Sequence, residues 1–249
     1  WAGLVAGAMC AGYAGAVHAC RKMQPTRGRD HKEQILLRSL AVLGVCAIAW
    51  IPTAWRIANK GSTHEEEGEG TFRRAVVHSL GLAWDRGGAI RAMGFSAVTT
   101  GSLLMESVAQ MVASRAPPWE VSWESFRSLV WAPLAEEFFF RSCLCSLLFE
   151  SDYGPVWATL VSSGLFAACH LNHLLEKGAD AKQVGVQVGF TFCFGVYAAY
   201  LLFRTKHLSA PILAHVLCNA VGFPQDISRF AKAPLTVLGL IVFLAVTLR

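Results

Sequence analysis

The residues best suited to chemistry begin with three charges in an otherwise apolar segment, Pro133-Leu-Ala-Glu136-Glu137-Phe-Phe-Phe-Arg141. Each charge at the centre of a membrane helix costs about 2.5–3.5 kcal/mol, so three within six residues must face protein or water and pair. Glu137 and Arg141 are four residues apart and can form an ion pair on one helix face. Glu136 is rotated by about 100° and faces a different partner. Glu137 and Arg141 therefore suit a structural salt bridge, and Glu136 is the candidate catalytic carboxylate.

A second polar motif is Phe166-Ala-Ala-Cys-His170-Leu-Asn-His173. Phe166 and His170 share a helix face, and His173 follows one turn later. An imidazole can accept or donate a proton near neutral pH. His170 is therefore a candidate acid–base residue, although a hydrogen-bonded core histidine would satisfy the same pattern.

The third motif is Ala214-His215-Val-Leu-Cys218-Asn219. His215 and Asn219 are four apart, so their side chains project together and can point at one oxygen atom. A helix–helix hydrogen bond is the structural alternative. With Glu136 and His170, this pair favours a hydrolase that stabilises a developing oxyanion.

Three other interpretations stay open at this point. Glu136, His170 and His215 could bind zinc with water as the fourth ligand, although the sequence contains no His-Glu-x-x-His motif. Cys218 could serve as a thiol nucleophile, although nothing nearby clearly lowers its pKa. The buried polar residues could also bind an ion in a transporter or hold helices together in a membrane scaffold.

The composition indicates what kind of element positions these residues. Charged residues make up 16% of the 249 residues and hydrophobic residues 54%, whereas an ordinary soluble domain is about 25% charged. This excludes a disordered chain and disfavours a nucleic-acid-binding module or a typical soluble enzyme. Eight apolar stretches are apparent, approximately 1–20, 34–55, 92–113, 128–149, 156–175, 184–203, 208–223 and 234–248. We predict an all-α, polytopic transmembrane bundle of about eight spans with a polar catalytic cavity.

Most of the few charges inside these stretches are clustered, which favours a functional site over scattered charges. Apart from the cluster of three, only Arg38 and Glu106 lie within them, and we assign these two structural or interface roles. If the spans alternate in direction, Glu136, His170 and the His215/Asn219 pair enter from the same side of the membrane. Their distances from that side are about 6–12 Å at 1.5 Å per residue. The sequence therefore predicts one site at one depth.

The eight cysteines do not form a disulfide framework, because all lie within or at the edge of apolar stretches and no Cys-x-x-Cys pair occurs. We interpret them as small hydrophobic fillers. The chain begins at Trp1 and ends at Arg249 directly after an apolar run. We interpret it as a fragment or a processed form of a longer protein.

The order Glu-Glu-x-x-x-Arg, Phe-x-x-x-His, His-x-x-x-Asn on separate spans resembles the CPBP (ABI) intramembrane endopeptidases. The flanking residues, such as Ala132-Pro133 and Pro211-Ile-Leu-Ala, resemble the type 2 CAAX prenyl endopeptidases, the Ras-converting enzymes. The resemblance is firm over 127–225, taken as the catalytic core, and weak over 1–113. We treat 1–249 as a single integral membrane domain.

The resemblance implies removal of the last three residues of isoprenylated CaaX proteins. Expected substrates are farnesylated or geranylgeranylated proteins such as small GTPases, and membrane lipid is an expected partner. The expected location is the endoplasmic reticulum membrane, with the active site facing the cytosol. We expect no cofactor, with zinc as the alternative. Expected catalytic residues are Glu136, His170, His215 and Asn219, supported by Glu137, Arg141, Phe166 and His173.

Overall fold

A computed structural model describes residues 1–23, 31–61, 69–83, 85–114, 120–175, 180–222 and 233–248. Within these ranges the chain is helical, without a strand, and each of the eight apolar stretches forms helix. The helices before residue 115 are α1 Ala2–Met23, α2 Lys32–Ala49, α3 Ile51–Gly61, α4 Glu69–Ser79, α5 Arg86–Leu103 and α6 Met105–Ser114. Those after it are α7 over 123–153, α8 Gly154–Cys169, α9 Ala181–Thr205, α10 Ser209–Val221 and α11 Pro234–Thr247.

Within the described ranges, four helical segments are long and apolar enough to cross a membrane, judged by length and composition. They are Ala2–Cys20, Lys32–Lys60, Trp123–Asn172 and Ala181–Thr205, and α10 and α11 are shorter apolar helices. The predicted fold class, a helical membrane bundle, is therefore confirmed.

The segment Trp123–Asn172 folds back on itself instead of forming one rod of 50 residues. Asp152 and Gly154 have positive φ angles of 67° and 71°, which interrupt the helix between α7 and α8. Gly154 adopts such an angle without a Cβ clash. Phe140 of α7 and Phe166 of α8 then stack with ring centroids 4.8 Å apart. The segment therefore supplies two antiparallel, packed helices.

The described chain divides into two compact units. The first unit comprises Trp1–Trp84 and Ala135–Leu208, and the second comprises Asp85–Leu134 and Ser209–Arg249. The single-domain organisation expected from the sequence stays a prediction.

In the second unit, α5 packs against both α10 and α11. The Ser96 hydroxyl donates to the Ala210 carbonyl at 2.7 Å and joins α5 to α10. A Cβ on Gly239 would lie 1.9 Å from the Ser102 carbonyl oxygen. Only glycine permits this approach of α11 to α5.

In the first unit, small and hydroxyl-bearing side chains bring the helices together. A Cβ on Gly195 of α9 would lie 2.9 Å from the Cβ of Ser163 on α8. Thr53 donates to the Cys143 carbonyl at 2.9 Å, and Ser142 donates to the Leu80 carbonyl. These hydrogen bonds use hydroxyl groups that would be costly to bury without partners.

One end of the first unit carries a charged turn, formed by Arg56, Lys60, Glu150 and Asp152. Arg56 lies 2.7 Å and Lys60 3.3 Å from the Asp152 carboxylate. The Arg56 Nε also donates to the Glu150 carbonyl at 3.1 Å. The hydrogen bond and charge of Lys60, followed by the charge of Arg56, lower the pKa of the exposed Asp152 carboxyl. This charged turn is the point at which the chain reverses between α7 and α8.

Candidate active site

The pair predicted from the spacing of Glu137 and Arg141 exists and is buried. The Arg141 Nε lies 2.9 Å from the Glu137 Oε2, and both side chains have no exposed surface. The Arg141 Nη2 donates to Glu137 Oε1 at 3.5 Å. The helix widens to π-helical turns from Phe138 to Cys145, and such turns are frequent at functional sites. The predicted ion pair is confirmed.

Phe166 connects this ion pair to His170. The Arg141 guanidinium carbon lies 4.5 Å from the centre of the Phe166 ring. The rings of Phe166 and His170 meet edge to face, with centroids 5.0 Å apart and an interplanar angle of 81°. A cation over an aromatic face is attracted by the ring quadrupole, more strongly when both are desolvated. Glu137, Arg141, Phe166 and His170 therefore form one continuous chain of contacts within the first unit.

The backbone fixes which nitrogen of His170 carries the proton. The His170 Nδ1 lies 3.0 Å from the Phe166 carbonyl oxygen. Because a carbonyl can only accept a hydrogen bond, Nδ1 must be the donor. In the neutral imidazole, Nε2 is then the nitrogen with the lone pair. This tautomer suits a group that accepts a proton or holds a water molecule.

Glu136 and His170 are equally far along the chain from the turn that joins α7 to α8. Glu136 is half-buried on α7 and stands 16 residues before Asp152, and His170 stands 16 residues after Gly154. The Cys46 thiol donates to the carbonyl of the neighbouring Ala135 at 3.7 Å, which ties α2 to this part of α7. The common depth predicted for Glu136, His170 and the His215/Asn219 pair stays a prediction.

The other two candidate catalytic residues belong to α10 in the second unit. His215 is buried, whereas Asn219 is exposed. The Asn219 Nδ2 donates to the Ser128 carbonyl at 2.7 Å. A side-chain amide has two N–H donors, so this bond orients the group with one of them. The catalytic roles of His215 and Asn219 stay predictions.

The remaining residues singled out from the sequence have more limited descriptions. His173 lies in the 3₁₀ turn His170–Leu175, and its side chain lies outside the described residues. Cys218 is half-buried on α10. Among the residues that the structure describes, no group of three or more His, Cys, Asp or Glu side chains could hold a metal ion.

Glu106 and Arg38 are the two other charges inside apolar stretches. Gln110 donates to the Glu106 carboxylate at 2.7 Å one turn further along α6. Arg38 lies on α2 in the first unit. The Glu106 contact agrees with the structural role expected for it.

Two neighbours of the site were not predicted from the sequence. Tyr13 of α1 is buried against Phe139 and Phe140, with ring centroids 4.7 and 5.4 Å away. The Cys10 and Cys169 sulfur atoms lie 3.2 Å apart. Both contacts join α1 to residues more than 120 positions further along the chain. No local pattern in the sequence signals such pairings.

The fold defines a class of protein. It is a multi-pass helical membrane protein with a buried ion pair and a histidine at the end of a membrane helix. Residues 118–221 match the family model described as Type II CAAX prenyl endopeptidase Rce1-like. The resemblance predicted over 127–225 is therefore confirmed for this segment, which contains every candidate site residue.

Individual relatives agree with the family match. The chain is 38% identical over 107 residues to CAAX prenyl protease 2 of Arabidopsis thaliana, covering 40% of this chain and 34% of the relative. It is 37% identical over 110 residues to CAAX prenyl protease 2 of Caenorhabditis elegans, covering 41% of each. It is 36% identical over 107 residues to the Homo sapiens protein of that name, covering 39% of this chain and 32% of the relative.

These alignments span about a third to two fifths of each relative's length. No solved structure gives a significant match to this chain.

Proposed function

We propose that this chain carries the catalytic part of a membrane-embedded endopeptidase that removes the last three residues of isoprenylated CaaX proteins. The observation that carries the proposal is the family match over 118–221, because this segment includes both carboxylates, both histidines and the asparagine. The contacts from Glu137 to His170 support it, since they hold an imidazole in a defined tautomer.

The proposed reaction begins with a water molecule held between Glu136 and His170 Nε2. Glu136 accepts a proton as the water oxygen attacks the carbonyl carbon of the prenylated cysteine. The carbon–nitrogen bond then breaks, and Glu136 returns the proton to the departing amine. Glu136 is half-buried rather than fully enclosed, which leaves it access to the water that it would activate.

His215 and Asn219 are assigned the oxyanion of the tetrahedral intermediate. Both residues can donate hydrogen bonds to an oxygen, and donors fixed in advance stabilise charge that develops in the transition state. The Ser128 carbonyl that accepts from Asn219 at 2.7 Å supports the assignment, because it limits rotation of the amide. Glu137 and Arg141 are positioning residues that act through Phe166 and the α7 backbone.

The expected substrates are farnesylated or geranylgeranylated CaaX proteins, with small GTPases among them. We place the enzyme in the endoplasmic reticulum membrane with its site open to the cytosol. The prenyl chain would lie in lipid or along an apolar groove, and the peptide would enter from water. A metal plays no part in the proposed reaction.

Release of the tripeptide from a farnesylated CaaX peptide by the purified chain in liposomes tests the proposal. Glu136→Ala should abolish release while the protein still folds, and Glu106→Ala serves as the matched carboxylate control with normal turnover. Absence of release by the unaltered chain would contradict the proposed function. Near-normal turnover by Glu136→Ala would refute the role of the base.

Two further measurements separate this mechanism from its rivals. Metal analysis of the active protein, with a chelator control, should find activity without stoichiometric zinc. A variant in which all eight cysteines are replaced should remain active, because no thiol takes part in the reaction. Loss of activity on chelation, restored by zinc, would instead favour the zinc site of Glu136, His170 and His215.

A further inference from the structure

Two thiols meet next to His170. The Cys10 sulfur of α1 and the Cys169 sulfur of α8 lie 3.2 Å apart, and all eight cysteines are free. Cys10 also approaches the Leu165 carbonyl oxygen at 3.5 Å. Cys10 is buried and Cys169 is half-buried. Both belong to the first unit, so this contact lies within one compact body.

The two sulfur atoms lie only slightly further apart than in a covalent disulfide. A disulfide requires a sulfur–sulfur distance of about 2.0 Å, so the atoms must approach by about 1.2 Å. Side-chain rotation and small shifts of α1 against α8 can supply such a movement. Cys193 on α9 is an exposed cysteine of the same unit and provides a comparison for the pair.

Cys169 is the last residue of α8, and His170 caps that helix. The His170 ring depends on this turn, because its Nδ1 binds the Phe166 carbonyl and its edge meets the Phe166 ring. A covalent tie from Cys169 to α1 pulls on the backbone immediately before the ring. A shift of the last turn of α8 therefore moves the imidazole relative to the carboxylate of Glu136.

We propose that Cys10 and Cys169 form a reversible disulfide that switches off the site carrying His170. The oxidant is a peroxide. The sulfur of one cysteine attacks one peroxide oxygen, the oxygen–oxygen bond breaks, and a sulfenic acid and water form. The sulfur of the other cysteine then attacks the sulfenic sulfur, the disulfide forms, and a second water leaves. Two thiols are thereby oxidised by two electrons and one hydrogen peroxide is reduced to two waters. A dithiol reductant reverses the change.

Mass spectrometry tests bond formation without any reference to activity. The full chain in liposomes is treated with hydrogen peroxide, blocked with a thiol reagent and digested without reduction. The expected product links the peptide that contains Cys10 to the peptide that contains Cys169. Cys193→Ala should leave this product unchanged, whereas Cys10→Ala and, as a second variant, Cys10→Ser should abolish it. Two free thiols at positions 10 and 169 after treatment would overturn the proposal.

The switch itself has two readouts. The first is carbethoxylation of His170, whose rate should change several-fold in the oxidised protein and return to its starting value on reduction. The second is tripeptide release, which rests on the proposed function. It should fall about 100-fold, because a displacement of about 1 Å in a catalytic group can cost this much. Cys10→Ala should keep its activity in peroxide.

The outcomes of these experiments are distinct. If the reduced chain releases no tripeptide, the proposed function fails, while disulfide mapping and His170 reactivity still test the switch. If the disulfide forms and neither His170 reactivity nor turnover changes, the bond is no switch and the proposal is overturned. If peroxide inactivates Cys10→Ala as fully as the unaltered protein, inactivation arises elsewhere and the proposal is likewise overturned.

Discussion

Arg141→Met is the substitution whose energetic consequence follows most directly from the structure. Arg141 and Glu137 are both without exposed surface, with Nε and Oε2 2.9 Å apart. Removing one partner of a buried pair leaves a buried carboxylate without its counter-charge and typically costs about 3–5 kcal/mol. Methionine also loses the cationic contact with the Phe166 ring, 4.5 Å away in the native protein. We therefore expect a loss of about 3–5 kcal/mol in the free energy of unfolding.

The double substitution Glu137→Gln with Arg141→Met should be milder than the single one. It removes both charges from the interior at once, and replacing a buried pair with neutral side chains of similar volume is often close to neutral. We expect the double variant to lose less than about 2 kcal/mol. The difference between the single and double variants measures the cost of leaving the Glu137 carboxylate buried without its counter-charge.

Lys60→Met is the matched control, because it removes a cation from an exposed pair. Lys60 lies 3.3 Å from Asp152, and the two side chains are 50% and 68% exposed. Exposed ion pairs contribute about 0–1 kcal/mol. The control should therefore change the free energy of unfolding by no more than about 1 kcal/mol.

Unfolding in mixed micelles, followed by the fluorescence of the eight tryptophans, measures all four proteins under one condition. The reasoning is wrong if Arg141→Met is as mild as Lys60→Met. It is also wrong if the double variant is no more stable than the single one, because the cost would then come from lost packing rather than from an unpaired charge.

Three further predictions concern the site and the charged turn. Phe166→Leu should lower kcat about tenfold or more with little change in KM, since it removes the ring that abuts His170 without touching the proposed substrate; equal losses in kcat and folded yield would indicate a purely structural effect. Asn219→Asp should reduce tripeptide release more than Asn219→Ala, the neutral comparison. Loss of one oxyanion donor costs about 10²–10³-fold in rate, and a carboxylate at this position also repels the oxyanion. Asp152→Asn should lower Tm near neutral pH. Because Lys60 and other cations lower the pKa of Asp152 in the folded protein, its stabilising effect is present above its unfolded pKa and lost as pH falls through the folded pKa. The Tm difference from the unaltered protein should therefore close below about pH 4, and a constant difference down to pH 2 would contradict this.

Much of the fold could be predicted because the membrane imposes a simple rule on the sequence. Apolar stretches of sufficient length must form helices, since no water is present to satisfy the backbone. This rule identified the helices at 1–20 and 184–203 within a few residues of the observed α1 and α9. It did not anticipate the break of α5 from α6 at Leu104 or the π-helical turns of α7, because these depend on packing.

Parts of the candidate site could be predicted as well, because they depend on spacing within one helix. Glu137 and Arg141 pair because four residues span one helical turn, and the helix backbone brings Phe166 under His170 for the same reason. The division of the chain into two compact units was not visible in the sequence. Ala135–Leu208 belongs to the first unit and Ser209–Arg249 to the second, although residues 118–221 form one uninterrupted family match.

The amino-acid sequence by itself determined which segments are helical, which charges are buried among them and which family the segment 118–221 resembles. These properties depend on residue type and on spacing within one helix. The tertiary structure alone decided that Arg141 contacts the ring of Phe166, and that Cys10 meets Cys169 across 159 positions. Such contacts arise when the chain reverses at Asp152 and when α1 packs against α8. They depend on how helix faces meet, and the order of residues along one helix does not identify the helix that packs against it.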